Sequence, residues 1–192
     1  QSESTDTTAT KAISANNITL NASSEAFTSD TGTREAAIGE VLTYSFTTVV
    51  PEGQTKETAS EDIIEVILPA GMSYQTGTAK IRGTFDTGFT TANGVSITAS
   101  DTTITPVVSG QSVIFDLGDV TNNDDDAGDE SITVTLDVLT LNTSNNNRTN
   151  NKTVTGEVNY LNESSANQSN SATQNIRIAE PNLTATKAAS PS

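Results

Sequence analysis

The densest chemistry in the chain is the run Asp119 to Glu130, DVTNNDDDAGDE. Hard cations such as calcium take about six to eight oxygens from carboxylates, Asn side chains and backbone carbonyls. Asn122, Asn123, Asp124, Asp125, Asp126, Asp129 and Glu130 offer more than that within one loop. Their spacing is not that of an EF-hand, because no alternate-position ladder ends in a Glu at the twelfth place. Crowded carboxylates repel one another unless a counter-ion sits among them, so the run predicts a calcium site. The plain alternative is a solvated hairpin tip whose charges keep a sheet edge soluble.

A second set could form a covalent bond. An amine of Lys can displace ammonia from an Asn side chain when a carboxyl kept protonated by burial handles the proton and the Lys is desolvated and neutral. Lys11 near the start, Asn170 or Asn175 near the end, and Glu65 within the apolar run IIEVIL are the residues for such an isopeptide bond. In the ordinary reading Lys11 snorkels to water and Glu65 faces solvent.

Other chemistries lack their parts. The 192 residues include no His and no Cys. This removes Ser-His-Asp triads, thiol nucleophiles, disulfides and His- or Cys-ligated metals. A glycosidase needs two carboxyls about 5 to 9 Å apart, and Asp116 and Asp137 lie in strand-like segments. Yet aromatics are 4% of the chain and Trp is absent, so little is left to stack a sugar on. Nine basic against 24 acidic side chains give a formal charge of -15, the wrong sign for a nucleic-acid partner. The composition therefore points away from an enzyme.

The elements that would position these groups read as strands. Ser, Thr and Asn fill roughly two in five positions, well above ordinary usage. Thr suits a pleated surface through its branched Cβ, and Asn and Ser suit turns. Alternation marks Ile18 to Ala22, Val41 to Val50, Ile63 to Leu68, Tyr74 to Ile81, Val95 to Ala99, Ile104 to Val108, Val113 to Leu117, Ile132 to Val138, Val154 to Leu161 and Ala172 to Ile178. Ile63 to Leu68 is apolar on both faces, which predicts a central strand. Pro51-Glu52-Gly53, Pro69-Ala70-Gly71, Asn93-Gly94, Ser109-Gly110 and Ala127-Gly128 supply the turns. Only Thr33 to Gly39 resembles a turn of helix. About nine to ten short strands at this spacing predict an all-β, antiparallel, Ig-like or Greek-key sandwich with extended terminal segments. Its boundaries fall at 1–16 for an N-terminal extension, 17–179 for the sandwich and 180–192 for a C-terminal segment.

Apolar residues are 33% of the chain, so the core is modest. A cation, a cross-link or neighbouring copies would supplement it. No run of about 18 apolar residues is present to span a membrane as a helix. The opening QSESTDTT resembles a mature or excised terminus rather than a signal peptide. The polar surface points to a place outside the cell. Eight positions match the N-glycosylation pattern, among them Asn17, Asn21, Asn142 and Asn182, a weak signal in a chain this rich in Asn, Ser and Thr. Asn142 to Asn151 reads as a long exposed loop.

The two ends restate one another. Thr8 to Ala12 and Thr184 to Ala188 both read TATKA. This is the mark of a repeat unit whose end begins the next copy.

Several motifs then carry a resemblance. Gly39-Glu40-Val41-Leu42-Thr43-Tyr44-Ser45-Phe46, Leu68-Pro69-Ala70-Gly71-Met72-Ser73-Tyr74, Asn170-Ser171-Ala172-Thr173 and Glu180-Pro181-Asn182-Leu183-Thr184-Ala185-Thr186-Lys187 resemble, in order, motifs of the DUF11 family. These are β-sandwich repeats of bacterial and archaeal surface proteins. One departure stands out: Val66 occupies the place, two before Leu68-Pro69, where that family often has Asp. The resemblance implies a spacer or interaction unit of a cell-surface adhesin, stalk or fibre, without catalysis.

Polar tails fray unless something ties them down. Two arrangements follow. The tails pack on adjacent domains of one tandem chain, or they are exchanged between subunits, one chain's terminal strand filling another's sheet edge. Leu183, Thr184, Ala185, Thr186, Lys187 and Ala188 form the candidate donor strand. The sequence thus predicts a structural, extracellular unit that assembles with copies of itself, with a calcium- or carbohydrate-binding module of a secreted adhesin as the other reading.

Overall fold

The computed structural model describes residues 18–22 as backbone, and 35–58, 64–84, 89–123, 130–147, 150–161 and 165–179 in full. Fifteen strands are present among them: β1 Ile18–Ala22, β2 Glu35–Ala37, β3 Val41–Val49, β4 Gly53–Thr55, β5 Ile64–Ile67, β6 Met72–Tyr74, β7 Lys80–Gly83, β8 Phe89–Thr91, β9 Thr102–Thr103, β10 Val107–Ser109, β11 Ser112–Phe115, β12 Val120–Asn122, β13 Ser131–Thr140, β14 Asn151–Leu161 and β15 Asn167–Ala179. The count exceeds the predicted nine to ten because turn-rich stretches contribute strands of only two to four residues.

One sheet runs β1-β3-β13-β7-β9, with β6 also on β13. The other runs β10-β11-β5-β14-β15-β2, and β4-β12-β8 form a small third sheet. The result is an all-β, Ig-like sandwich, antiparallel except where β2 pairs with β15 in parallel. IIEVIL does supply a central strand, β5, between β11 and β14.

Alternation fixes which face is buried. Leu42, Tyr44 and Phe46 of β3 and Val134, Leu136 and Val138 of β13 point inward, and all six are fully buried. They face Ile64, Val66, Val154, Val158, Ile176 and Ile178 of the second sheet. Gly156 lets the layers close. A Cβ there would overlap the ring of Phe46, so the aromatic side chain of one sheet rests on bare backbone of the other. The outward positions of β3 and β13 carry hydroxyl pairs, such as Thr47 with Thr133 at 2.8 Å between oxygens.

Four local predictions are corrected. Of Thr33 to Gly39, the described residues 35–39 are not helical: Glu35–Ala37 forms β2 and Ala37 to Glu40 a turn closed by Glu40 N–H to Ala37 C=O at 3.1 Å, with Gly39 at φ 87°. One isolated helical turn fixes several dihedrals for a single hydrogen bond, whereas the edge of β15 offers a ready ladder. Tyr74 to Ile81 is not one strand. It breaks at a turn where the Tyr74 hydroxyl accepts N–H groups from Gly77 and Ala79, and both halves pair with β13. Ile104 to Val108 likewise joins β9 to β10 across the sheets, and Val95 to Ala99 contributes only a bridge from Ile97 to Phe89.

Candidate functional site

The direction of the chain defines two poles. Ile18, where β1 begins, stands opposite Thr48 near the end of β3. Ala179, where β15 ends, stands beside Ala37, just before the turn into β3. The chain therefore enters at one end of β3 and leaves at the other, and nine strand residues span roughly 30 Å. Both β1 and β15 run from the entry pole to the exit pole.

The entry pole holds the base of the acidic run. Asn122 is fully buried, and its Nδ2 donates to Val50 C=O at 2.9 Å and to Glu130 Oε2 at 3.0 Å. Glu130 is 5% exposed and Glu52, next to the Gly53 that pairs with Asn122, is 4% exposed. Two predicted ligands thus serve as anchors for the loop, and Asn123 is exposed just outside them. Asp124, Asp125, Asp126 and Asp129 lie outside the described residues. Among the described residues no group of three acidic side chains is gathered in a way that could hold a metal ion.

The exit pole is built on an asparagine that the sequence reading placed in a loose loop. Asn146 is fully buried, and its Nδ2 donates to Gly71 C=O at 2.6 Å and Leu141 C=O at 2.9 Å. Gly71 sits at φ 96°, and a Cβ there would overlap the Asn146 amide. Lys152 caps the arrangement by donating to Ala70 C=O at 3.0 Å and to Asn145 C=O. Buried Asn within an Asn tract leaves no compositional signal; the nearby Pro-Ala-Gly turn that needs its carbonyl satisfied is the only hint.

Of the residues chosen for an isopeptide bond, Glu65 and Asn175 share one face of the second sheet and Asn170 lies on the other. Glu65 is half-buried on the outer face of β5, directly opposite Glu157 and beside Ile114. Asn175 shares that outer face and accepts from the Thr153 hydroxyl at 2.7 Å. Asn170 stands opposite Val158 on the inner face. Lys11 and the donor residues Leu183 to Ala188 lie outside the described residues. Sequence reasoning missed Asn159 on β14, which is 1% exposed and whose Oδ1 and Nδ2 have no hydrogen-bond partner among the described residues. Asp116 and Asp137 belong to different sheets. Asp116 follows β11 and accepts from Asn93, while Asp137 on β13 accepts from the Thr43 hydroxyl at 2.6 Å. A cleft of about 220 Å³ beside Arg82, Thr84, Ser131 and Thr133 is smaller than usual ligand pockets, which begin near 300 Å³.

No protein-family model matches the chain, and no curated protein matches it in sequence. Among solved structures it is similar to the backbone pilin of a Streptococcus pyogenes serotype, with 11% identity and a TM-score of 0.54 over 83% of this chain and 35% of the pilin. It is also similar to the major pilin subunit of Bacillus cereus, with 11% identity, a TM-score of 0.47, and 84% and 40% of the two chains covered. A third is the N-terminal domain of a Streptococcus gordonii adhesin, with 16% identity, a TM-score of 0.40, and 85% and 33% covered. The chain spans only a third to two fifths of these proteins' lengths. The likeness to the first of these shows a shared Ig-like β-sandwich fold.

Proposed function

We propose that this chain is a structural, non-enzymatic unit of an extracellular filament or adhesin stalk, joined to copies of itself through its terminal segments. The observation that carries the reading is the path of the chain. It enters at Ile18 and leaves at Ala179 on opposite poles, with β1 and β15 running the same way. A unit threaded in this manner passes its end to the next copy in line, and tension runs along its strands. The repeated TATKA at 8–12 and 184–188 fits the same arrangement, as does the fold shared with a backbone pilin. The resemblance to DUF11 repeats, the boundaries at 17 and 179, and the donor role of Leu183 to Ala188 belong to this proposal.

Sedimentation of the full chain against a chain ending at Ala179 tests it. An open-ended series of oligomers that is lost on truncation is the expected result. A full chain that stays single at every concentration would rule out assembly from separate subunits.

A second reading concerns the acidic run. Glu52, Asn122 and Glu130 are buried at its base, and calcium bound by Asn122, Asn123, Asp124, Asp125, Asp126, Asp129 and Glu130 would offset the repulsion among the carboxylates.

A further inference from the structure

The turn after β8 carries a reactive dipeptide. Asn93-Gly94 is the one place in the chain where Gly follows Asn. Both residues are exposed. Gly94 has no side chain to shield its amide nitrogen, and apart from its chain neighbours nothing among the described residues lies within 4 Å of where a Cβ would stand. In an open chain at mildly alkaline pH such a nitrogen attacks the preceding Asn side chain. A bond forms from Gly94 N to Asn93 Cγ, the bond from Cγ to Nδ2 breaks, and ammonia leaves with the proton that Gly94 N gives up. Water then opens the succinimide. Opening at the side-chain carbonyl gives Asp on a normal backbone, and opening at the main-chain carbonyl routes the backbone through the side chain.

The fold holds both reacting groups. Gly94 N–H donates to Thr91 C=O at 3.2 Å, closing a four-residue turn. Asn93 Nδ2 donates to the Asp116 carboxylate, just past β11. Asn93 N–H donates to Leu117 C=O at 3.2 Å, and Ala92 N–H to Asp119 C=O at 2.8 Å. Gly118 permits the approach, since a Cβ there would stand 2.8 Å from Ala92 Cβ and 3.1 Å from Asn93 Cγ. We propose that Asn93 is a self-modifying site, kept as an amide by Thr91 and Asp116 and converted to an acid when this turn opens away from the link between β11 and β12. Conversion then marks the chain. The amide donor becomes a carboxylate, which only accepts, and it faces the carboxylate of Asp116. Like charges so placed repel, so the turn does not close as before. Each chain thereby records whether this corner has opened.

The full chain is held folded and, separately, unfolded in urea at one mildly alkaline pH. Conversion is followed by mass spectrometry of a peptide that contains Asn93, which separates it from the other asparagines. Asn93 is expected to convert roughly tenfold or more slowly in the folded chain, the margin being set by the free energy of opening the turn. Asp116→Ala should raise the folded rate several-fold and leave the unfolded rate unchanged. Asn93→Asp should lower the urea midpoint, and adding Asp116→Asn, which again sets one donor against one acceptor, should bring most of it back. Equal rates in the two states, a folded rate that Asp116→Ala does not move, or an unfolded chain that keeps its amide would each overturn the inference. An Asn93→Asp chain as stable as its parent would show that the acid fits the closed turn, and the idea of a lasting mark would fall.

Discussion

Arg177 and Glu35 stand opposite each other across the parallel β2–β15 ladder, with Nε of the arginine 2.5 Å from Oε1 of the glutamate. The Glu35 side chain is 9% exposed and that of Arg177 27%. The pair ties the segment before β3 to the last strand. Arg177→Met leaves the Glu35 carboxylate in the interior without its counter-ion and should cost about 3 kcal/mol in urea unfolding. Glu35→Leu together with Arg177→Met should recover most of the loss. A single substitution that costs under 0.5 kcal/mol would mean the pair is solvated and idle.

Gly71 and Asn146 should behave as one unit. Gly71→Ala forces a side chain into a left-handed backbone and into the Asn146 amide, for about 2–4 kcal/mol. Asn146→Ala strips partners from Gly71 C=O and Leu141 C=O and should cost about 2 kcal/mol. The double variant should cost about 1 kcal/mol less than the sum, since the overlap is gone. Strict additivity in a double-mutant cycle would contradict the geometry.

Asn159 runs the other way. Among the described residues its buried amide has no partner, and such an amide loses its hydration on folding and gains nothing in return. Asn159→Leu, of similar shape, should raise stability by about 1 kcal/mol in the same assay. A loss of that size would show that the amide serves a contact made only in the assembly or with another group.

Calcium should raise the thermal midpoint of the chain and release or absorb heat on titration at millimolar concentration. Asp125→Asn should weaken both signals. Titration without heat, and a midpoint equal in calcium and in chelator, would leave the acidic run as a solvated tip.

The long alternating segments were legible in the sequence. Val41 to Val50, Ile132 to Val138 and Val154 to Leu161 became β3, β13 and β14 because period-two burial is written directly into residue type. β2, β4, β8, β9 and β12 were not, since strands of two or three residues owe their existence to the neighbour that pairs with them. Glu35-Ala36-Ala37 favours helix locally and is drawn into a sheet by Arg177 and the edge of β15. Asn122 and Glu130 were recognised as oxygen-rich, but composition gave no sign that they are buried and hydrogen-bonded to each other. Asn146 and Asn159 were hidden for the same reason: among so many Asn residues, which one is buried depends on the fold.

Electron microscopy of the negatively stained full chain tests the central claim most directly. Filaments one sandwich wide, with strands along the axis and a repeat of roughly 40 Å from the length of β15, are what a unit threaded from pole to pole should form. Isolated particles or closed rings at every concentration, salt and calcium level would contradict it.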